Sequence, residues 1–260
     1  MTSSSTLPSV RSGAGYWLDG YTSMLRFDVN NLRSYLMIGL VVQLLMGAGV
    51  AIMYGYYFGD LDTAQQTFLV TGIPVLALVP VGFAMVPAAI MEHKLRDTYD
   101  YVWSLPVPRM ASAVSTLSIF TTIAIPGTVA ALVVAALAYD IDLTVSWSIV
   151  PAILLTSAMA TSVGYALANA IPEPRVINLL TNLVIFLVLL FSPIVVAIEQ
   201  FPDWWGTVHK ILPFWNMSVV IRAGLTEGMV TTSVAASYMV LIGWVVGSWL
   251  LVAWVVGRRH

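Results

Sequence analysis

Charge is concentrated in one stretch of this chain. EHKLRDTYDYVWSLPVPR, Glu92 to Arg109, carries six charged residues of a total of 11 basic and 13 acidic in 260, and it lies between two apolar runs without charge. Lys94/Asp97 and Arg96/Asp100 have the spacing of ion pairs on one helix. Leu95, Tyr99, Val102 and Leu105 share a face with Trp103 beside it, until Pro106 and Pro108 end the helix. The chemistry on offer is docking, not bond making. Two readings stay open: a solvated helix between apolar runs, or a surface that enters a partner.

Residues for catalysis are scarce. His93, His209 and His260 all lie outside the apolar runs, cysteine is absent, and there is no HExxH, CxxC or pair of carboxylates within a run. Metal catalysis and intramembrane proteolysis therefore lack their residues, and no metal site is expected. The only lysines, Lys94 and Lys210, each follow a histidine, so the chain has no GxxxxGK phosphate loop. Runs free of acid and base also argue against a proton-driven carrier or a voltage sensor, which place ionisable groups at depth.

The elements that carry these residues are set by composition. With 59% hydrophobic and 9% charged residues, against about 25% charged in soluble proteins, this is an all-α integral membrane protein. Six runs exceed the roughly 20 residues that a crossing helix needs: Ser34 to Gly59, Thr63 to Met91, Met110 to Tyr139, Leu143 to Pro172, Val176 to Ile198 and Gly228 to Gly257. Six crossings put Arg11, Arg26, Arg33, Lys94, Arg96, Arg109, Arg175, Arg258 and Arg259 on one side and only Lys210 and Arg222 on the other. That bias predicts both termini in the cytoplasm, with Asp60, Asp62, Asp140 and Asp142 in short external loops. The organisation is then a cytoplasmic tail and interfacial helix over 1–33, a permease domain over 34–257 and a basic end over 258–260.

Between the tail and the first run, Leu18, Tyr21, Leu25, Val29, Leu32 and Leu36 recur at helical spacing, with Arg26, Asn30 and Arg33 turned away. This pattern predicts an amphipathic helix in the cytoplasmic interface, acting as an anchor or as a partner contact. Glu199 to Gly228 is too polar to cross and too aromatic for a solvated loop. Pro202 and Pro213 divide it into two pieces, and Trp204, Trp205 and Trp215 suit the headgroup level. It forms either an external re-entrant helical hairpin or a pair of helices on the surface. Gln43, Asn178 and Asn182 are the clearest polar residues within the runs, with Asn169 near an end; each bonds a neighbouring helix or touches substrate. Gly55/Gly59 and Gly243/Gly247 match GxxxG.

Order and spacing together resemble the permease subunits of the ATP-binding-cassette type-2 export family, which includes daunorubicin-resistance, O-antigen and teichoic-acid permeases. The likeness rests on the amphipathic helix, the six runs, the charged segment ending in SLPVPR, and NLLTNLVIFLVLLFSPIVVAIEQFPDWWGTVHKILPFWNMSVVIRAGL, Asn178 to Leu225. It implies the transmembrane subunit of an exporter in the plasma membrane, with two permease copies, identical or homologous, and two copies of a separate cytoplasmic ATPase. ATP and magnesium would sit on that ATPase, no cofactor in this chain, and no nucleic acid is involved. The resemblance assigns the coupling helix to Lys94, Leu95, Arg96, Asp97, Tyr99, Asp100 and Trp103. The IPEPR turn adds Glu173 and Arg175 as a second contact, or is simply a tight turn with an anchoring arginine. Glu199, Trp204, Trp205, Trp215 and Arg222 fall in an outer lid, and Gln43, Asn178 and Asn182 line the pathway. The cargo implied is hydrophobic or amphipathic: a drug, a lipid or a lipid-linked glycan. A channel or anchor without transport, and an intramembrane enzyme, are the competing classes.

The topology is directly testable. Reporter tags at Asp62 and Asp142 should be accessible from outside, and tags at Arg175 and His260 only from the cytoplasm; an inversion between any two would break the six-span reading.

Overall fold

The computed structural model describes residues 13–57, 62–95, 107–139, 141 and 143–258. Its described residues form nine α-helices and no strand. These are α1 (Ala14–Tyr57), α2 (Thr63–Pro80), α3 (Val86–Leu95), α4 (Arg109–Tyr139), α5 (Ile149–Ala170), α6 (Pro174–Phe191), α7 (Asp203–Ile211), α8 (Pro213–Leu225) and α9 (Val234–Arg258). Six stretches are long and apolar enough to cross a membrane: Leu36–Tyr54, Thr63–Leu95, Arg109–Ala138, Ile149–Ala170, Pro174–Phe191 and Val234–Val255. They alternate in direction, so the start of the first span and the end of the sixth share one face of the bundle; we call it the terminal face and its opposite the distal face.

Several ends differ from the sequence expectation, each for a local reason. The fourth span begins at Ile149 rather than Leu143, because the Ser146 N–H bonds the Gly224 carbonyl at 2.9 Å and holds that stretch across the base of α8. Span five stops at Phe191 rather than Ile198: Pro193 has no N–H and disfavours helix at Ser192. The last span starts at Val234 rather than Gly228, whose φ of 75° ends the preceding turn in the left-handed region.

The second span is the centre of the bundle, 83% buried, whereas the first, fifth and sixth are buried over only 22%, 17% and 22% and turn apolar faces outward. Its Leu76, Val79 and Phe83 form one buried cluster with Met159, Met217, Ile221 and Leu241 of its neighbours. Between α2 and α3 the helix widens into a π-turn, Val81–Met85. Here the Val81 N–H bonds Leu78 O instead of reaching Ala77 O, and the carbonyl so released accepts from Gln43 Nε2 of α1 at 2.7 Å. Gln43, 1% exposed, is thus a structural bond between spans. Gly127 of α4 makes its space, since a side chain there would collide with Gln43. At the π-turn itself Gly82 meets α5: a Cβ on Gly82 would lie 2.5 Å from Ala160 O, and one on Gly164 would overlap Gly82 O. Bare glycines on both sides let the two backbones touch.

The segment expected as a separate interfacial helix is the first part of α1, which runs unbroken for 44 residues through the 33/34 boundary. It lies alongside α4. Met24 and Asp28 are buried, Tyr21, Leu25 and Leu36 of the apolar stripe are half-buried, and Leu18 and Val29 remain exposed. Asp28, 4% exposed, accepts from Ser115 Oγ at 2.9 Å and Thr116 Oγ1 at 3.3 Å, and Tyr21 donates to Ser118 at 3.1 Å. The polar contacts won because a buried carboxyl must bond somewhere, and α4 offers hydroxyls at the matching height.

Burial pushes the Asp28 carboxyl up from 3.8 to about 6, against the smaller lowering by Ser115 and Thr116. Below 3.8 the group is neutral whether α1 is docked or not. As pH rises through about 6 the docked form must ionise in place, and packing of this end loses about 3 kcal/mol in total. The purified protein should therefore melt at higher temperature below about pH 6 than at neutral pH. Asp28→Asn should remove most of that difference by raising the neutral-pH value; an unchanged pH profile in Asp28→Asn would locate the effect elsewhere.

Candidate functional site

On the distal side the chain folds inward instead of crossing. After a 3-10 turn, Ile198–Gln200, α7 descends and α8 returns, with Leu212 between them and Pro213 in the first turn of α8, where its missing N–H costs nothing. The depth is fixed by two contacts. Trp244 Nε1 donates to Ile211 O at 2.9 Å, and Trp244 is midway along Val234–Val255. Phe214 packs on Phe83 of the π-turn with ring centres 5.5 Å apart. The tip of this hairpin thus lies level with the middle of the bundle, rather than on its surface. Asn216 closes the tip, donating to Lys210 O at 3.0 Å and Leu212 O at 2.8 Å.

Arg222 fastens the hairpin near its distal end. Assigned to the outer lid from the resemblance, it is 3% exposed and donates to Thr71 Oγ1, Phe68 O and Ile194 O, each at 3.0 Å. Its guanidinium lies 3.6 Å from the centre of the Phe68 ring. Among the described residues no carboxylate pairs with it. The planar fork reaches α2 and the irregular chain after α6 at once, which a single-point ammonium could not do. Gly72 shapes the same junction, since any Cβ there would lie 2.5 Å from Ile194 O.

The lid tryptophans do not share one level. Trp204 is exposed and packs edge-on against Trp205, whose Nε1 donates to Phe191 O, the last carbonyl of α6, at 3.1 Å. Trp215, expected at the same level, is buried near the tip, because it opens α8 inside the core. His209 is also buried, edge-on to Trp205 at 5.0 Å. Glu199 is exposed in the 3-10 turn.

On the terminal face, Lys94 and Leu95 close α3. Lys94 Nζ reaches across to Ala168 O at 2.6 Å and Ile171 O at 2.8 Å, the last carbonyls of α5, where a cation suits the helix dipole. Leu95 is exposed. Arg96, Asp97, Tyr99, Asp100 and Trp103 lie outside the described residues. In the turn after α5, Glu173 caps α6 by accepting from the Arg175 N–H, and Pro174 opens the helix; Arg175 itself is exposed. Asn178 and Asn182 are exposed on α6, joined by Asn182 Nδ2 to Asn178 O at 2.8 Å, and Asn169 is buried, donating to Tyr165 O. Gly243 and Gly247 meet no other helix.

A family model described as ABC-2 type transporter matches residues 21–226. The chain belongs to the ABC-2 type transporter family. The match starts within the early part of α1, takes in the first five spans and the hairpin, and ends one residue past α8, so the sixth span lies outside it. No curated protein matches the chain. The permease is therefore a multi-pass membrane protein, the membrane component of an ABC transporter, and such components work with an ATPase subunit.

Three parts of this site were missed by sequence reasoning: the burial of Arg222, the bond from Lys94 to α5, and the depth of the tip. The signal for the first was present, as Arg222 sits within the otherwise uncharged run FWNMSVVIRAGL. Arg222→Met in the permease should leave the buried Ile194 carbonyl without its donor and lower stability by about 2 kcal/mol. Arg222→Lys should fall between. Thermal unfolding in detergent measures both, and an unchanged Arg222→Met would mean that the hairpin is held by packing alone.

Proposed function

We propose that this permease is the transmembrane half of an ATP-driven exporter, with its terminal face in the cytoplasm and a separate ATPase docked on the segment from Glu92 to Arg109. The observation that carries the reading is Lys94. It stands at the base of that segment and bonds the end of α5 and the turn into α6, so a pull on the segment acts on the second, fourth and fifth spans together. ATP and magnesium belong to the partner, because this chain has no loop to cradle phosphates.

In this mechanism closure of two ATPases draws two coupling segments together, and rigid spans convert that displacement into a change of access. Leu95, Tyr99 and Trp103 fill a groove on the ATPase, while Arg96, Asp97 and Asp100 set its register. Glu173 and Arg175 lie close to the same contact. A second copy of the permease, or a homologue, completes a pathway bordered by the first, second and fifth spans, and the hairpin with Glu199, Trp204, Trp205 and Arg222 closes its outer end as a re-entrant lid. Asn178 and Asn182, on the open face of α6, are the polar residues best positioned to meet cargo. That cargo is hydrophobic or amphipathic, since the accessible walls are almost wholly apolar. The membrane is the plasma membrane.

The test is co-purification of an ATPase and hydrolysis that requires both chains. Buried aromatic anchors contribute about 2 kcal/mol each at such contacts, so Tyr99→Ala with Trp103→Ala should release the ATPase. Lys94→Met should leave the ATPase bound and hydrolysing but lower the transport obtained per ATP, because its bonds face inward. Saturable ATPase activity in the isolated permease, or full transport by the double aromatic variant, would defeat the reading.

A further inference from the structure

Within a single copy, a pocket of about 390 Å³ opens on the distal side of the bundle. Its walls include Tyr54 of the first span, Gln65 and Phe68 of the second, and Val195, Val196 and Gln200 of the chain that leaves the fifth. These are the elements that border the pathway in the exporter reading. They are also two of the elements that Arg222 ties, since its guanidinium bonds Phe68 O on one side and Ile194 O on the other.

The walls select by charge. None of the residues that line the pocket is acidic or basic. Two rings and several apolar side chains form most of the surface, and the amides of Gln65 and Gln200 supply its polar groups. Gln65 accepts from the Asp62 N–H with its oxygen, at 3.4 Å, which leaves its Nε2 to donate. Behind the wall stands a buried cation: the Arg222 guanidinium lies 3.6 Å from the centre of the Phe68 ring, and among the described residues no carboxylate pairs with it. Any group seated on that ring at van der Waals contact comes within about 9 Å of the charge. At an effective dielectric of about 20, two like charges at that separation weaken binding about twentyfold. Asp62, Glu199 and Glu227, the acids nearest along the chain, are exposed and outside the lining, so water screens them. An ionised carboxylate inside would lose its water without gaining a basic side chain from the walls.

We propose that this pocket binds the cargo at the distal end of its route, and that the cargo is an uncharged molecule with a flat apolar body and hydrogen-bonding groups at one edge. The inference rests on the exporter reading and narrows its substrate. The body lies against Phe68 and Val195, and the Gln65 and Gln200 amides meet its polar edge.

Three photoreactive probes of one shape test this on the full chain in phosphatidylcholine nanodiscs: 4-(hydroxymethyl)benzophenone, its trimethylammoniomethyl counterpart, and 4-benzoylbenzoate. Peptide mapping locates the attachment, and labelling of Met239 and Leu250 on the outward face of α9 corrects for probe dissolved in lipid. The neutral probe should label the peptides that carry Phe68 and Val196 saturably. After correction the cation should label them at least about tenfold less, and the carboxylate should also fall below the neutral probe. Val196 is 38% exposed in the irregular chain, so Val196→Trp can fill the pocket without disturbing the core; it should abolish saturable labelling of Phe68 and leave the melting temperature unchanged. Labelling that does not saturate, equal labelling by the cation, or unchanged labelling in Val196→Trp overturns the proposal. Selective labelling of a permease that no ATPase binds supports the pocket and its selectivity and overturns the exporter reading alone. A working permease and ATPase pair whose pocket stays unlabelled overturns the pocket alone.

Discussion

Inside a bilayer no water bonds a stray carbonyl, and the bundle is organised around the carbonyls that its helices cannot satisfy themselves. Arg222 answers the one at Ile194, in the irregular chain after α6, and bonds Phe68 and Thr71 of α2 as well. Gln43 answers the one that the π-turn releases at Ala77. Lys94 answers those at the end of α5. Each donor sits on a different helix from its acceptors, so each repair of local backbone is also a bond between elements. Remove these polar ties and the core cluster around the second span is left with apolar side chains, which lipid tails can replace at little cost.

The second span inherits a central role from this arrangement. Its distal end is held by Arg222, its middle by Gln43 and the glycine contact with α5, and its other end by Lys94. The hairpin and the charged segment therefore share one continuous helix pair as their support. The π-turn lies between them, at the level where Phe83 touches Phe214 near the hairpin tip. Such turns recur at functional sites in helices, and here the widened turn is the point at which the two halves of the span are joined.

Much of the architecture was legible from hydropathy and charge: six spans, and two short helices between the fifth and sixth, with Pro202 before the first and Pro213 opening the second. Hydropathy averages over many residues and is robust to local irregularity, whereas span ends depend on single events such as Pro193 or the bond from Ser146 to Gly224. The stripe along α1 did not announce the place of Asp28, because helical spacing shows which residues are apolar, not which are opposite a hydroxyl on α4. Gly82 and Gly164 belong to different spans, so no spacing within one helix announces their contact. The depth of Trp215 was hidden for a related reason: a short helix has the same composition whether it lies flat or dips.

The hairpin also sets an order of assembly. With 9 and 13 residues, α7 and α8 are too short for insertion machinery to deliver across the hydrocarbon as independent spans. The partners of Arg222 precede it in the chain, and by the time it emerges from the ribosome Phe68, Thr71 and Ile194 are already in place. Trp244, which holds the tip from the other side, is made last. Biogenesis of this permease thus ends where the hairpin does: α7 and α8 gain their final seat only when the sixth span threads in beside them, and a chain truncated before α9 would carry an unfinished distal end.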